Sequence, residues 1–133
     1  MGTRAIYTFE DGYTERHVFI HYDGYPTGAA SYFRKWLEAG TSWPLPRFEA
    51  DEAAAGFIAA VKRGPGNVRI CSARFDYCDV EFGYRVTSQD GTLRVQVATT
   101  DYWGGAPAEH IFFDGPMTEF LDRVHEVQDT VDA

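Results

Sequence analysis

The sequence is short of basic charge, of cysteine and of long apolar runs, and each shortage removes a class of protein. Lysine and arginine number 12 against 20 aspartates and glutamates, a formal net charge of −8. Sequence-independent binding to nucleic acid rests on neutralising phosphates with cationic side chains, so direct nucleic-acid binding is not expected. The two cysteines, Cys71 and Cys78, are too few for a disulfide framework and are not spaced as a CxxC pair. No stretch approaches the roughly 20 apolar residues of a membrane-spanning helix. No apolar run follows Met1 in the manner of a secretory signal. The expected setting is therefore a reducing cytoplasm with both thiols free and no membrane partner.

Catalytic signatures are missing as well. There is no GxSxG. Gly64-Pro65-Gly66-Asn67 lacks the Lys and Ser/Thr of a phosphate loop, and it closes a helical pattern instead of opening one. Cys71 follows Val68-Arg69-Ile70 in a strand pattern and reads as a buried small hydrophobe. Cys78 sits in Phe75-Asp76-Tyr77-Cys78-Asp79, where neighbouring carboxylates raise a thiol pKa instead of activating it. His17, His21 and Asp23 share strand parity, which suggests two imidazoles and a carboxylate on one metal. Same-face neighbours on a strand lie about 6.5–7 Å apart, however, so His17 and His21 are separated by roughly twice that. Without a bulge, one ion cannot reach both. No metal and no cofactor is expected.

What is present is core material. Hydrophobic residues make up 44% and aromatics 16% of 133 residues, enough for one domain spanning the chain and too short for two. Arg4–Phe9 alternates with Ala5, Tyr7 and Phe9 on one face; Asp11-Gly12 turns into a second strand, Arg16–Tyr22. Ala29–Ala39 has its apolar residues at helical spacing, with Thr27 as N-cap and Gly40 as stop. Trp43-Pro44-Leu45-Pro46 cannot be helical through both prolines. Asp51–Arg63 reads as a second helix, with Ala54, Phe57, Ile58 and Val61 inward. Strands follow at Val68–Ser72, Val80–Thr87, Leu93–Thr99 and Glu109–Phe113, then a helix over Met117–Gln128. The order ββ-α-α-ββββ-α predicts an α+β fold, with three helices packed largely on one side of an antiparallel sheet of five to six strands.

Between the second strand and the first helix lies His21-Tyr22-Asp23-Gly24-Tyr25-Pro26. Gly24 permits a positive φ and Pro26 fixes φ for a tight turn. Together with Met1-Gly2-Thr3-Arg4 this segment resembles a group of small bacterial, phage and prophage proteins of uncharacterised activity that read MGTR…H(W/Y)DGYP. The resemblance covers about the first 40 residues. It lends no catalytic residue, but its phage setting implies a host-takeover or anti-defence role.

Two kinds of site emerge. The first is a ligand pocket at Arg4, His21, Asp23 and Tyr25, in which Arg4 and His21 hold an anion or Asp23 orients His21 as a base. The alternative for the same residues is a hydrogen-bonded corner that locks hairpin to helix. The second is a partner-facing surface made of the aromatic loops at Trp43, Tyr102 and Trp103 and the acids Asp76, Asp79, Glu81, Glu119, Asp122 and Glu126. Three functions compete. The leading one is a non-enzymatic inhibitor of phage or mobile-element type, anti-CRISPR-like, that binds a host protein with a basic surface. A small-ligand or nucleotide-binding domain, enzymatic or not, is the second. A structural subunit or homodimer, pairing through an edge strand such as Val68–Ser72, is the third.

Overall fold

The fold is taken from a computed structural model, which describes residues 2–72, 80–101 and 108–132. Strands β1 (Ala5–Glu10) and β2 (Glu15–Ile20) are followed by helices α1 (Pro26–Ala39) and α2 (Ala50–Val61). Then come β3 (Val68–Cys71), β4 (Phe82–Gln89), β5 (Thr92–Asp101), β6 (Ala108–Pro116), α3 (Met117–Asp122) and α4 (Val124–Asp132). The α+β class holds.

The sheet is mixed, not antiparallel throughout. Its six strands run in the order β3-β2-β1-β4-β5-β6, and β1 pairs with β4 in parallel. Every other pairing is antiparallel. The β1–β2 hairpin occupies the middle: β3 is added outside β2, and the β4–β5–β6 meander outside β1. The alternation of side chains is the same in both pairing modes, so it carries no signal for the parallel pair. Strand β1 shows its central place in its burial, since Ala5, Ile6, Tyr7, Thr8 and Phe9 are all buried.

The helices cover one face. Tyr7, Phe9, Val18, Ile20, Tyr84, Val86, Val95 and Val97 point toward them, meeting Phe33, Trp36, Phe57 and Phe120. Aromatic edges organise this layer: Tyr7 stacks on Tyr84 at 5.0 Å and meets Phe33 edge-on at 5.6 Å. A smaller buried cluster, Ile6, Phe19, Cys71 and Val80, lies apart from it.

Two helix ends differ from expectation. Helix α1 starts at Pro26, not Ala29, and its N-cap position is Tyr25 with no side-chain cap bond. Proline at the first helical position has no amide to satisfy and a φ already set for the helix. The amide of Thr27, expected to cap, instead donates to Gln128 Oε1 of α4 at 3.2 Å. The expected C-terminal helix is two helices. Arg123 leaves the helical conformation (φ −113, ψ 22), and its carbonyl accepts the amides of Glu126 and Val127 to restart the chain as α4. The break lets Phe120, Val124 and Val127 all stay buried.

Candidate functional site

The turn after β2 is a locked corner. Asp23 sits in the left-handed region with φ 59, a conformation that Asp and Asn tolerate better than other L-residues. The Gly24 amide donates to the Thr3 carbonyl at 2.8 Å, and the buried Tyr84 hydroxyl donates to the Gly24 carbonyl at 2.5 Å. Tyr32 of α1 donates to the Tyr22 carbonyl at 3.0 Å, and Tyr25 to Asp23 Oδ1 at 3.0 Å. A Cβ at Gly24 would come within 2.8 Å of the Ala5 Cβ, and one at Gly28 would overlap the Asp23 carbonyl oxygen. Both glycines are needed because backbone passes against backbone here.

Of the four expected pocket residues, Asp23 and Tyr25 meet directly. They border a cleft of about 270 Å³ with Thr27, Ser31, Tyr32 and Lys35, and neither Arg4 nor His21 lines it. His21 follows directly on β2 and has its ring against Phe19 (6.1 Å) and Tyr22 (4.5 Å). The Arg4 carbonyl accepts the Glu81 amide at 3.0 Å, which ties the N-terminal strand to the start of β4. The phenols around Asp23 stay neutral. Burial, then the Asp23 carboxylate, pushes Tyr32 up to about 12, and the Asp23 hydrogen bond raises Tyr25. Tyr7 is raised well above its ordinary value by burial, then by Tyr84, Tyr32 and Asp23. Its hydroxyl is fully buried and has no hydrogen-bond partner among the described residues.

On the other face of the sheet, Thr8 Oγ1 and His17 Nδ1 share a hydrogen bond at 2.9 Å, and His17 Nε2 faces Glu15 at 3.5 Å. Cys71 is the register partner of His17 and is buried, as its strand context predicts. A hydroxyl, an imidazole and a carboxylate in a row resemble a catalytic triad in composition. Thr8, however, has no accessible surface, so a substrate carbonyl has no approach to it in this structure. Arg85 anchors the same face by pairing with Glu10 and, at 3.3 Å, with Glu15.

A broad concave surface lies at the end of the sheet opposite the Asp23 corner. A cleft of about 560 Å³ is lined by Glu10, Asp11, Trp43 through Phe48, Thr87, Ser88 and Gly91. A second, of about 520 Å³, lies between Asp11, Tyr13, Thr14, Arg47, Phe48, Glu49 and Asp51. Asp11, Arg47 and Phe48 belong to both. Trp43 is half-buried, with its ring at 5.8 Å from Phe48, so it forms cleft wall and core edge together.

Asp11 is the organising residue. Its Oδ1 accepts the amides of Tyr13 (2.9 Å) and Thr14 (2.8 Å), and its Oδ2 accepts the Ala50 amide (2.9 Å). The first two close the hairpin turn. The third caps α2, whose own N-cap residue Glu49 makes no side-chain cap bond. These amides, Ala50 first, hold the carboxyl down at about 2. The sequence marked Asp11-Gly12 as a turn and missed its hold on a helix nearly forty positions later. Tyr13 was missed too; its ring stands 93% exposed.

Among the acids expected to face a partner, Glu119 and Glu126 clamp Arg123, each at 2.8 Å. Asp122 and Glu81 are exposed. Asp76, Asp79, Tyr102 and Trp103 lie outside the described residues. No three His, Cys, Asp or Glu side chains gather to hold a metal ion among the described residues. None of the described helices is long and apolar enough to cross a membrane. No known protein family matches the chain, and comparisons with curated proteins and with solved structures find no match.

Proposed function

We propose that the chain is a non-enzymatic binding protein that occupies a basic surface on a partner protein and thereby inhibits it. The observation that carries this reading is the pair of adjoining clefts around Asp11, floored by Trp43 and Phe48 and rimmed by Glu10, Asp11, Glu49 and Asp51 against Arg47, on a chain of net charge −8. An acidic, aromatic concavity is complementary to the cationic surfaces on which proteins hold nucleic acid. The N-terminal resemblance to phage and prophage proteins makes a host defence nuclease or CRISPR effector the first partner class to test. The small-ligand reading draws less support. The cleft at Asp23 is about 270 Å³, near the lower end of the size range of ligand pockets, and the residues around it are held to one another.

Affinity purification from host lysate tests the proposal. A stoichiometric partner is expected whose recovery falls as salt rises from about 0.15 M to about 0.5 M, and whose nucleic-acid binding is lost in the complex. Absence of any such partner across several hosts would contradict it. Light scattering addresses the oligomer reading, for which the exposed Ile70 on edge strand β3 is the motivating feature.

A further inference from the structure

We propose that the partner docks on the β1–β2 hairpin tip, with Tyr13 as the anchor, and that it presents a basic loop carrying arginine or lysine. This inference rests on the binding reading above and says where that binding occurs. Tyr13 is 93% exposed, the highest exposure of any large hydrophobic residue described. A ring so placed contributes little to folding, and tyrosine is among the residues that most often dominate interface energetics. It is also held ready. Asp11 bonds the Tyr13 and Thr14 amides, and Gly12 takes φ 90 to complete the turn. A partner therefore does not have to order the loop on contact.

Charge selects the occupant. The cleft beside Tyr13 carries Asp11, Glu49 and Asp51 against Arg47 alone, with Phe48 as its apolar floor. Arg47 is paired with Glu49 only loosely, at 3.8 Å, and is itself largely exposed. A guanidinium or ammonium entering this cleft finds carboxylates at its rim and an aromatic floor for its methylenes. On the C-terminal helices Arg123 already holds Glu119 and Glu126, and no aromatic ring there is as exposed as Tyr13.

The test uses the full chain and a labelled synthetic peptide alternating arginine and leucine, with a charge-balanced lysine–glutamate peptide as control. Backbone amide NMR maps the contact, and fluorescence anisotropy gives affinity. The expected footprint covers residues 12–14 and 47–51. Tyr13→Ala is expected to weaken binding roughly tenfold, and Asp122→Asn to change it less than about twofold. A footprint on α3 and α4, or an affinity unchanged in Tyr13→Ala, overturns the docking surface and leaves the basic-partner reading standing. No binding of the arginine peptide even at low salt overturns both. If the wild type is a dimer that Tyr13→Ala converts to monomer, a second copy covers the tip and the proposal is wrong.

Discussion

Asp11 offers the sharpest quantitative test of how the tip is held. Asp11→Ala removes one carboxylate and leaves three amides, those of Tyr13, Thr14 and Ala50, without their acceptor. Loss of a helix N-cap costs about 0.5–2 kcal/mol, and water can reach the two turn amides after the change. A total near 2 kcal/mol is expected, a fall in melting temperature of about 6–10 °C for a domain of this size. Urea unfolding at neutral pH measures the free energy directly. Asp11→Asn adds a check on charge. The carboxyl titrates at about 2 in the folded chain against an ordinary value of 3.8. Its folded pKa is depressed, so the stability it contributes is present above about 3.8 and is lost as pH falls through about 2. The stability gap between wild type and Asp11→Asn is therefore expected to hold from neutral pH down to about 4 and then to close. An Asp11→Ala variant within about 0.3 kcal/mol of wild type, or a gap independent of pH down to about 2, would refute the capping argument.

Other substitutions probe the corner and the core. Gly28→Ala is expected to destabilise by about 2 kcal/mol or more, because its methyl would overlap the Asp23 carbonyl; thermal melts followed by circular dichroism read this. Tyr84→Phe, which leaves the Gly24 carbonyl without its donor, should cost about 1–3 kcal/mol in urea unfolding. Tyr7→Phe removes a buried hydroxyl that has no partner among the described residues and is expected to be neutral or to stabilise by up to about 1 kcal/mol. Equal losses at Tyr7 and Tyr84 would show that the hydrogen-bond assignments are wrong. Tyr13→Ala should leave the unfolding midpoint within about 0.5 kcal/mol of wild type, which separates its expected effect on binding from any effect on folding.

Local pattern carried most of the elements, and long-range partners account for what it missed. The alternation of Ala5, Tyr7 and Phe9 placed β1 and its inner face, and Asp90-Gly91, both at positive φ, made the β4–β5 hairpin legible. The parallel β1–β4 pair was not legible, because side-chain parity is the same for either direction. Nor was the start of α1, whose second residue finds its hydrogen-bond partner 101 positions away in α4. The split of the last helix at Arg123 depends on packing of Phe120 and Val127 that no local propensity encodes.

The candidate site was legible in kind and misplaced in part. Asp23 and Tyr25, singled out together, share a hydrogen bond, and Trp43, expected on a partner-facing loop, lines a cleft. Charge counting also drew attention to Glu119 and Glu126, which sequence alone cannot show to be spoken for by Arg123 three and four positions away. Tyr13 carried no sequence signal beyond its place beside a turn, since exposure of a single aromatic is decided by whether anything folds over it.

The most direct test of the account is competition. The partner recovered from lysate is bound to labelled nucleic acid, and the protein is titrated in while a mobility shift is recorded. Wild type is expected to release the nucleic acid, and Tyr13→Ala to need roughly tenfold more protein for the same release. Nucleic acid that stays bound at saturating wild-type protein, or equal potency of the two forms, would contradict it.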